Sequence, residues 1–248
     1  MSDSTLLGPP RVRRRLAALP DKPLNFDPAS LQHASAATGW TITDLCQTLP
    51  AEPPGQPTAD GSWQIARRLM RVYEFADPSI VRAYYDPEAP LEGRNMLLKL
   101  QAVRIAHLYV GVRVGDVYDE VRELDGERAC VWGWNYRTLE GHVEMGQMDW
   151  EVWKWLGDGR VEFRVHATSR IAHIRNPIVR LGFYLLREHE REAFLDSTKR
   201  RMLTFTELAL SPEHAGDSIR HAAASLTARP LRPQDPAHDS VARSVGRG

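Results

Sequence analysis

The feature that most constrains the fold is a change of hydrophobic period near residue 176. Between residues 109 and 171 apolar side chains recur at every second position, whereas after Asn176-Pro177 they follow helical spacing for about thirty residues. Val110, Val112 and Val114 share a face, and Gly115-Asp116 then offers a turn or a bulge. Residues 117–124 read as a second strand, closed by Asp125-Gly126, a dipeptide suited to a tight hairpin. Residues 129–137 place Cys130, Trp132, Trp134 and Tyr136 on one side, with Val131, Gly133, Asn135 and Arg137 opposite. Residues 148–156 and 160–171 read as two long strands joined through Gly157-Asp158-Gly159. In the second, Val161, Phe163, Val165 and Ala167 alternate against Glu162, Arg164 and His166. Asn176-Pro177 pairs a helix cap with a first-turn proline. Ile178, Leu181 and Leu185 begin an apolar stripe that Met202, Leu203, Phe205 and Leu208 resume; the charged run 187–192 between them reads as a solvated face.

Before residue 109 the signals are weaker. Residues 67–75 alternate as a strand, with Leu69, Tyr73 and Phe75 opposite Met70 and Val72. Asp77-Pro78 predicts a short helix running through Tyr84 and Tyr85, and Met96, Leu97, Leu98 and Leu100 predict another over 94–102. Short helices are expected around 28–36 and 43–47, ahead of a Pro- and Gly-rich loop over 50–61. The expected organisation is a disordered tip (1–21), one domain (22–210) whose first part (22–61) is an extension lying on it, and a disordered tail (211–248). The fold class is α+β: an antiparallel sheet wrapped around a long C-terminal helix, because a one-sided sheet must bury its apolar face and this helix is the available cover. That order is the helix-grip arrangement of START-like and Bet v 1-like proteins, in which the sheet and helix enclose a cavity.

Charge and cysteine usage exclude several classes. Thirty-two basic residues balance thirty-two acidic ones, so no net charge points to nucleic acid. The cluster Arg11, Arg13, Arg14 and Arg15 reads as part of a solvated terminus. Cys46 and Cys130 match no metal spacing, and no apolar run approaches the roughly 20 residues of a membrane span. A cytoplasmic protein without metal, cofactor or stable membrane insertion is expected; oligomeric state stays open.

Residues 132–148 carry the densest aromatic and glycine chemistry in the chain. Tyr136, Thr138, Leu139, Gly141, His142 and Gly146, then Asp158-Gly159, Ser169-Arg170, Pro177 and Arg180, together with Leu24-Asn25-Phe26, resemble a family of bacteria and plants known as domain of unknown function nineteen-ninety. The resemblance covers about residues 24–202, and its most specific part is Thr-Leu-x-Gly-His. It implies a fold and a place to look, not a reaction. The chain departs from the pattern at four places: Arg137 replaces its second glycine, Gln147-Met148 its Glu-Glu pair, Ile171 a proline and Phe183 a glutamine.

Two functions follow as expectations. The first is binding of a hydrophobic small molecule, lipid or polyketide-like, between sheet and helix. Trp132, Trp134, Thr138, Ser169, Arg170, Arg180 and Phe183 are its candidate ligand-binding residues. Aromatic rings suit a ligand wall or a core alike, and the guanidinium groups grip carboxylates or carbonyls unless they close strand-end ion pairs. The second is a biosynthetic cyclase, hydratase or dehydratase in the same cavity. His142 would then be acid or base, with Tyr136 or Arg137 polarising a carbonyl. The plainer alternative for His142 is a structural role at a strand end. Trp150, Trp153 and Trp155 put tryptophan on both faces of one strand, so part of this set is expected to line the cavity or support the extension.

Overall fold

A computed structural model describes the backbone of residues 8–102, 106–172 and 177–211 and the side chains of residues 8–100, 108–172 and 191–211. Its elements are α1 (Pro10–Ala17), β1 (Thr41–Leu49), α2 (Ser62–Arg71), β2 (Val81–Tyr84), β3 (Asn95–Ala102), β4 (Ala106–Leu124), β5 (Glu127–Thr138), β6 (Glu144–Trp155), β7 (Val161–Ile171) and α3 (Pro177–Leu210). The strands form one seven-stranded sheet in the order β1-β7-β6-β5-β4-β3-β2, antiparallel throughout. The inner face of the sheet packs against α2 and α3 around Trp134, Trp150, Phe163, Met202 and Phe205. This is the helix-grip arrangement, a sheet closed by its C-terminal helix.

The period-two region folds as its pattern requires. Asp125 and Gly126 take φ 54° and 80° in the β4–β5 turn, and the register shifts between Val114 and Val117, so Gly115-Asp116 lies in a bulge within one long strand. Upstream, four expectations are overturned. Residues 62–71 are helical, because Trp63, Ala66, Leu69 and Met70 form a buried stripe at spacings of three and four; the alternation over 67–75 was a by-product of the turn that follows. Residues 43–47 lie in β1, a Thr-rich edge strand paired with β7. The helix expected through Tyr84 and Tyr85 is strand β2, with Asp77-Pro78 making a single turn before it.

The helix expected over 94–102 is strand β3, and its cause is another overturned expectation. Met96 and Leu98 face the main core, while Leu97 joins Tyr84, Leu139, Val12 and Leu19 in a second cluster on the outer face. A strand covered on both sides reads as a continuous apolar run. The cover is α1, inside the stretch expected to be disordered: Val12 and Leu19 are 4% and 1% exposed. The Arg113 guanidinium fixes it by donating to the carbonyl oxygens of Leu19, Pro20 and Lys22 at 2.9, 3.0 and 3.0 Å. The expected tail over 212–248 lies outside the described residues. Among the described residues no helix is long and apolar enough to cross a membrane.

Candidate functional site

Strand alternation brings Trp134 and Tyr136 of β5, Trp150 of β6 and Phe163 of β7 to the inner face. Trp150 is the hub, stacked on Phe163 at 6.2 Å and flanked by Trp134 at 6.4 Å, Tyr136 at 6.2 Å and Phe194 of α3 at 6.3 Å. Tyr73 and Phe75 complete the set from the chain that leaves α2, with Tyr73 6.2 Å from both Trp134 and Trp150. Trp132 is buried beside them, but its ring lies under the Arg67 guanidinium, 5.2 Å away.

Tyr73 sits there at a cost. The Glu74 N–H bonds the Leu69 carbonyl and the Tyr73 N–H bonds the Met70 carbonyl, closing α2 with the pattern that places a left-handed residue just past the helix. That residue is usually glycine; here it is Tyr73, at φ 63°. A non-glycine residue in this conformation costs about 1–3 kcal/mol and persists when its surroundings hold it. Here the held object is a phenol ring inside the aromatic set.

Among the described residues three buried polar groups of this set have no hydrogen-bond partner of good geometry: Trp134 Nε1, Trp150 Nε1 and the Tyr73 hydroxyl, which interacts with the Tyr136 hydroxyl. The Tyr136 hydroxyl donates to the Met148 thioether at 3.2 Å, a weak acceptor. Burial pushes the phenol of Tyr73 well above its ordinary pKa and that of Tyr136 upward too, the latter partly offset by Tyr73. Both phenols are therefore protonated at neutral pH. A groove of about 450 Å³ runs between β1 and α3, lined by Leu45, Cys46, Leu195 and Lys199 among others, and Leu45 also packs against the core.

The sequence-predicted residues divide between this interior and a separate junction. Thr138 is buried at the end of β5, where its hydroxyl donates to Asn25 Oδ1 at 2.6 Å and accepts from the Gly146 N–H at 2.9 Å. Asn25 Nδ2 donates to the Glu144 carbonyl at 2.9 Å. His142 is half-buried in the β5–β6 turn, and its Nδ1 accepts the Glu144 N–H at 2.9 Å. Phe26 meets Trp40 edge-on at 6.2 Å, and the Arg170 guanidinium covers the other side of Trp40 at 4.7 Å. Asn25, Phe26, Thr138, Gly146 and Arg170, five of the motif positions, thus join the N-terminal segment and Trp40 to the ends of β5, β6 and β7.

His142 and Arg137 do not meet Tyr136 as a catalytic trio. Arg137 points away from the inner face to Gln147 Oε1 and Asp116 Oδ2, both at 2.8 Å. Ser169 does face α3, where Arg191 donates to its hydroxyl at 3.2 Å; Arg191 belongs to the run expected to be a solvated face. Arg180 and Phe183 lie on α3 among residues whose side chains are outside the described ones. Of the tryptophans expected in part to line the cavity or support the extension, Trp150 lies inside, whereas Trp153 and Trp155 pack together at 5.6 Å on the outer face. Arg164 lies 4.3 Å from the first ring and Arg160 4.9 Å from the second.

Tyr73, Phe75 and Arg191 are the residues the sequence did not single out for the site, and Trp150 was named only within a set of tryptophans. The strand register selects Trp150 over Trp153, whereas nothing in the local pattern marks Tyr73.

Burial lowers the His142 pKa to about 4, partly offset by Glu144. The folded state thus favours neutral imidazole, and its stabilising contribution is present above the unfolded pKa of about 6.5. Stability should fall as pH drops from 6.5 to 4, by roughly 2–3 kcal/mol. His142→Asn, which can still accept the Glu144 N–H, should flatten this slope in urea titrations at successive pH values; an unchanged slope would assign the acid sensitivity elsewhere.

The family described as "Domain of unknown function (DUF1990)" matches residues 27–195. No curated protein matches the chain. Among solved structures, Ara h 8.0201 is 10% identical, with 67% of this chain and 99% of that one covered at a TM-score of 0.38. The di-domain ARO/CYC StfQ from the steffimycin biosynthetic pathway is 13% identical, with coverages of 71% and 52% and a TM-score of 0.39. Human STARD10 is 10% identical, with coverages of 78% and 84% and a TM-score of 0.36. Likenesses of this degree say nothing about what the chain binds.

Proposed function

The chain belongs to the DUF1990 family, and from that premise and the interior just described we propose that it binds a hydrophobic, ring-bearing small molecule between the sheet and the C-terminal helix. The observation that carries this reading is the set of unpartnered polar groups on Trp134, Trp150 and Tyr73. A buried polar group without a partner costs about 1–3 kcal/mol, and three on adjoining rings is an expensive way to fill a core. A bound acceptor would turn that cost into affinity. The strained backbone of Tyr73 fits the same reading, since binding sites are where such strain collects.

The alternative, a cyclase, hydratase or dehydratase in the same interior, would need its acid–base group there. The phenols of Tyr73 and Tyr136 beside the rings are both held protonated, and His142 accepts an N–H within its own turn. Binding is therefore the reading the geometry favours.

Native mass spectrometry against panels of aromatic and acyl-chain molecules tests it: a one-to-one complex with ring compounds is expected, and none with any member would sink the proposal. Tyr73→Phe supplies a sharper expectation. It keeps the ring and removes an unpaired hydroxyl, so unfolding should be unchanged or harder by about 1 kcal/mol, while affinity for a ring ligand found in the panel drops roughly tenfold. A clear loss of stability would mean that the hydroxyl serves the fold.

A further inference from the structure

The polar groups of the interior are unequal in kind. Trp134 Nε1 and Trp150 Nε1 can only donate, and both side chains are almost wholly buried, at 1% and 0% exposure. Among the described residues the Tyr73 hydroxyl, on a residue 6% exposed, has no hydrogen-bond partner of good geometry, and it interacts with the Tyr136 hydroxyl. The Tyr136 proton rests on the Met148 sulfur, which an oxygen would outcompete. Among the described side chains the acceptors of the set are the two phenol oxygens and that thioether, with the Glu144 carboxylate near enough to raise the Tyr136 pKa. The interior therefore holds spare donor hydrogens and little to receive a guest's own N–H.

Resting on the binding reading above, we propose that the site selects ring systems whose polar end is an uncharged carbonyl oxygen, a ketone or a quinone-type group, over the same ring bearing an amine. A carbonyl has two lone pairs and no proton, so it matches donors without adding one. An amine at neutral pH brings a charge that these apolar rings would have to desolvate. A plain hydrocarbon fills the same space and leaves every donor unpaired.

The matched probes are tetralin, 1-tetralone and 1-aminotetralin, which share one bicyclic frame. Calorimetry on the full chain should find the ketone bound roughly tenfold or more tighter than the hydrocarbon, with the amine weakest. Trp134→Phe and Trp150→Phe should each narrow the ratio of ketone to hydrocarbon affinity. Should either variant fail to fold, infrared spectroscopy of the wild-type complex decides, because a hydrogen-bonded carbonyl absorbs at lower frequency than the free ketone in alkane. Equal affinity for tetralin and tetralone, or an unshifted carbonyl band, would overturn the selectivity and leave the binding reading standing. Tightest binding of the amine would overturn it as well. No binding of any of the three would count against the binding reading itself and take this inference with it.

Discussion

Gly146→Ala is expected to leave no stable folded protein. Gly146 pairs with Ser169 across β6 and β7 at φ 147°, a backbone conformation that side-chain-bearing residues rarely adopt. A Cβ there would collide with the Thr168 carbonyl oxygen and stand 2.9 Å from Ser169 Cα. Both obstacles are backbone atoms of a paired strand, so relief requires opening the β6–β7 ladder. The same residue donates its N–H to Thr138, and moving it would also break the tie to Asn25. Backbone strain, collision and a lost buried network together should cost more than about 4 kcal/mol, a large share of a domain's stability. Gly141→Ala is the control from the same turn: it also has positive φ, 88°, but its Cβ would meet only Lys22 Nζ at 3.4 Å. It should cost about 1 kcal/mol. Circular dichroism and urea unfolding of the pair distinguish collision from conformation, and a well-folded Gly146→Ala would show that β7 shifts freely.

Lys154→Met is expected to be the second most damaging change, at about 3–5 kcal/mol. Lys154 lies on the inner face with its side chain 0% exposed, 3.5 Å from Glu52 Oε2, whose side chain is 3% exposed. The ammonium also donates to the Pro53 carbonyl. Glu52 in turn accepts the N–H groups of Thr58 at 2.9 Å and Trp63 at 2.8 Å, so its carboxylate organises the 50–61 loop and meets the N-terminus of α2. Removing the cation leaves a buried carboxylate with amide partners only. The paired change Glu52→Gln with Lys154→Met should recover part of the loss, since no net charge stays buried, although Gln has one carbonyl oxygen and accepts from only one of the two amides. A double-mutant cycle in urea measures this coupling, and additive losses would mean that the two residues act independently.

The sheet from β4 to β7 was legible because its strands bury one face and their side chains alternate. The β4–β5 turn was legible because Asp125-Gly126 suits two positive φ values. β3 and β2 were not, because their legibility depended on α1, a helix of arginines whose Val12 and neighbouring Leu19 become apolar cover only once Leu97, Tyr84 and Leu139 are gathered beneath them. α2 was missed because a helix of 10 residues gives few repeats of its stripe. At the site, the position of Trp134 and Tyr136 on one strand face could be read from alternation. The motif was a poorer guide to chemistry. Thr138, Gly146 and Arg170 meet Asn25, Phe26 and Trp40 across more than a hundred residues of chain, and no local pattern tells a residue that joins segments from one that touches a ligand. Tyr73 was illegible for the opposite reason, since its left-handed backbone is imposed by the end of α2 and rewarded only by distant rings.

The strand order has a consequence for how the chain is made. β1 is the first strand in sequence, yet its partner in the sheet is the last, β7. A ribosome therefore emits Ile42, Leu45 and Leu49 long before anything exists for them to pair with, and Asn25 likewise precedes Thr138 by 113 residues. Contacts of such separation slow folding, because the intervening loop must close before they can reward it. Until residues 161–171 emerge, the nascent chain carries an unpaired strand, and β1 takes its place in the sheet only after β7 has been made.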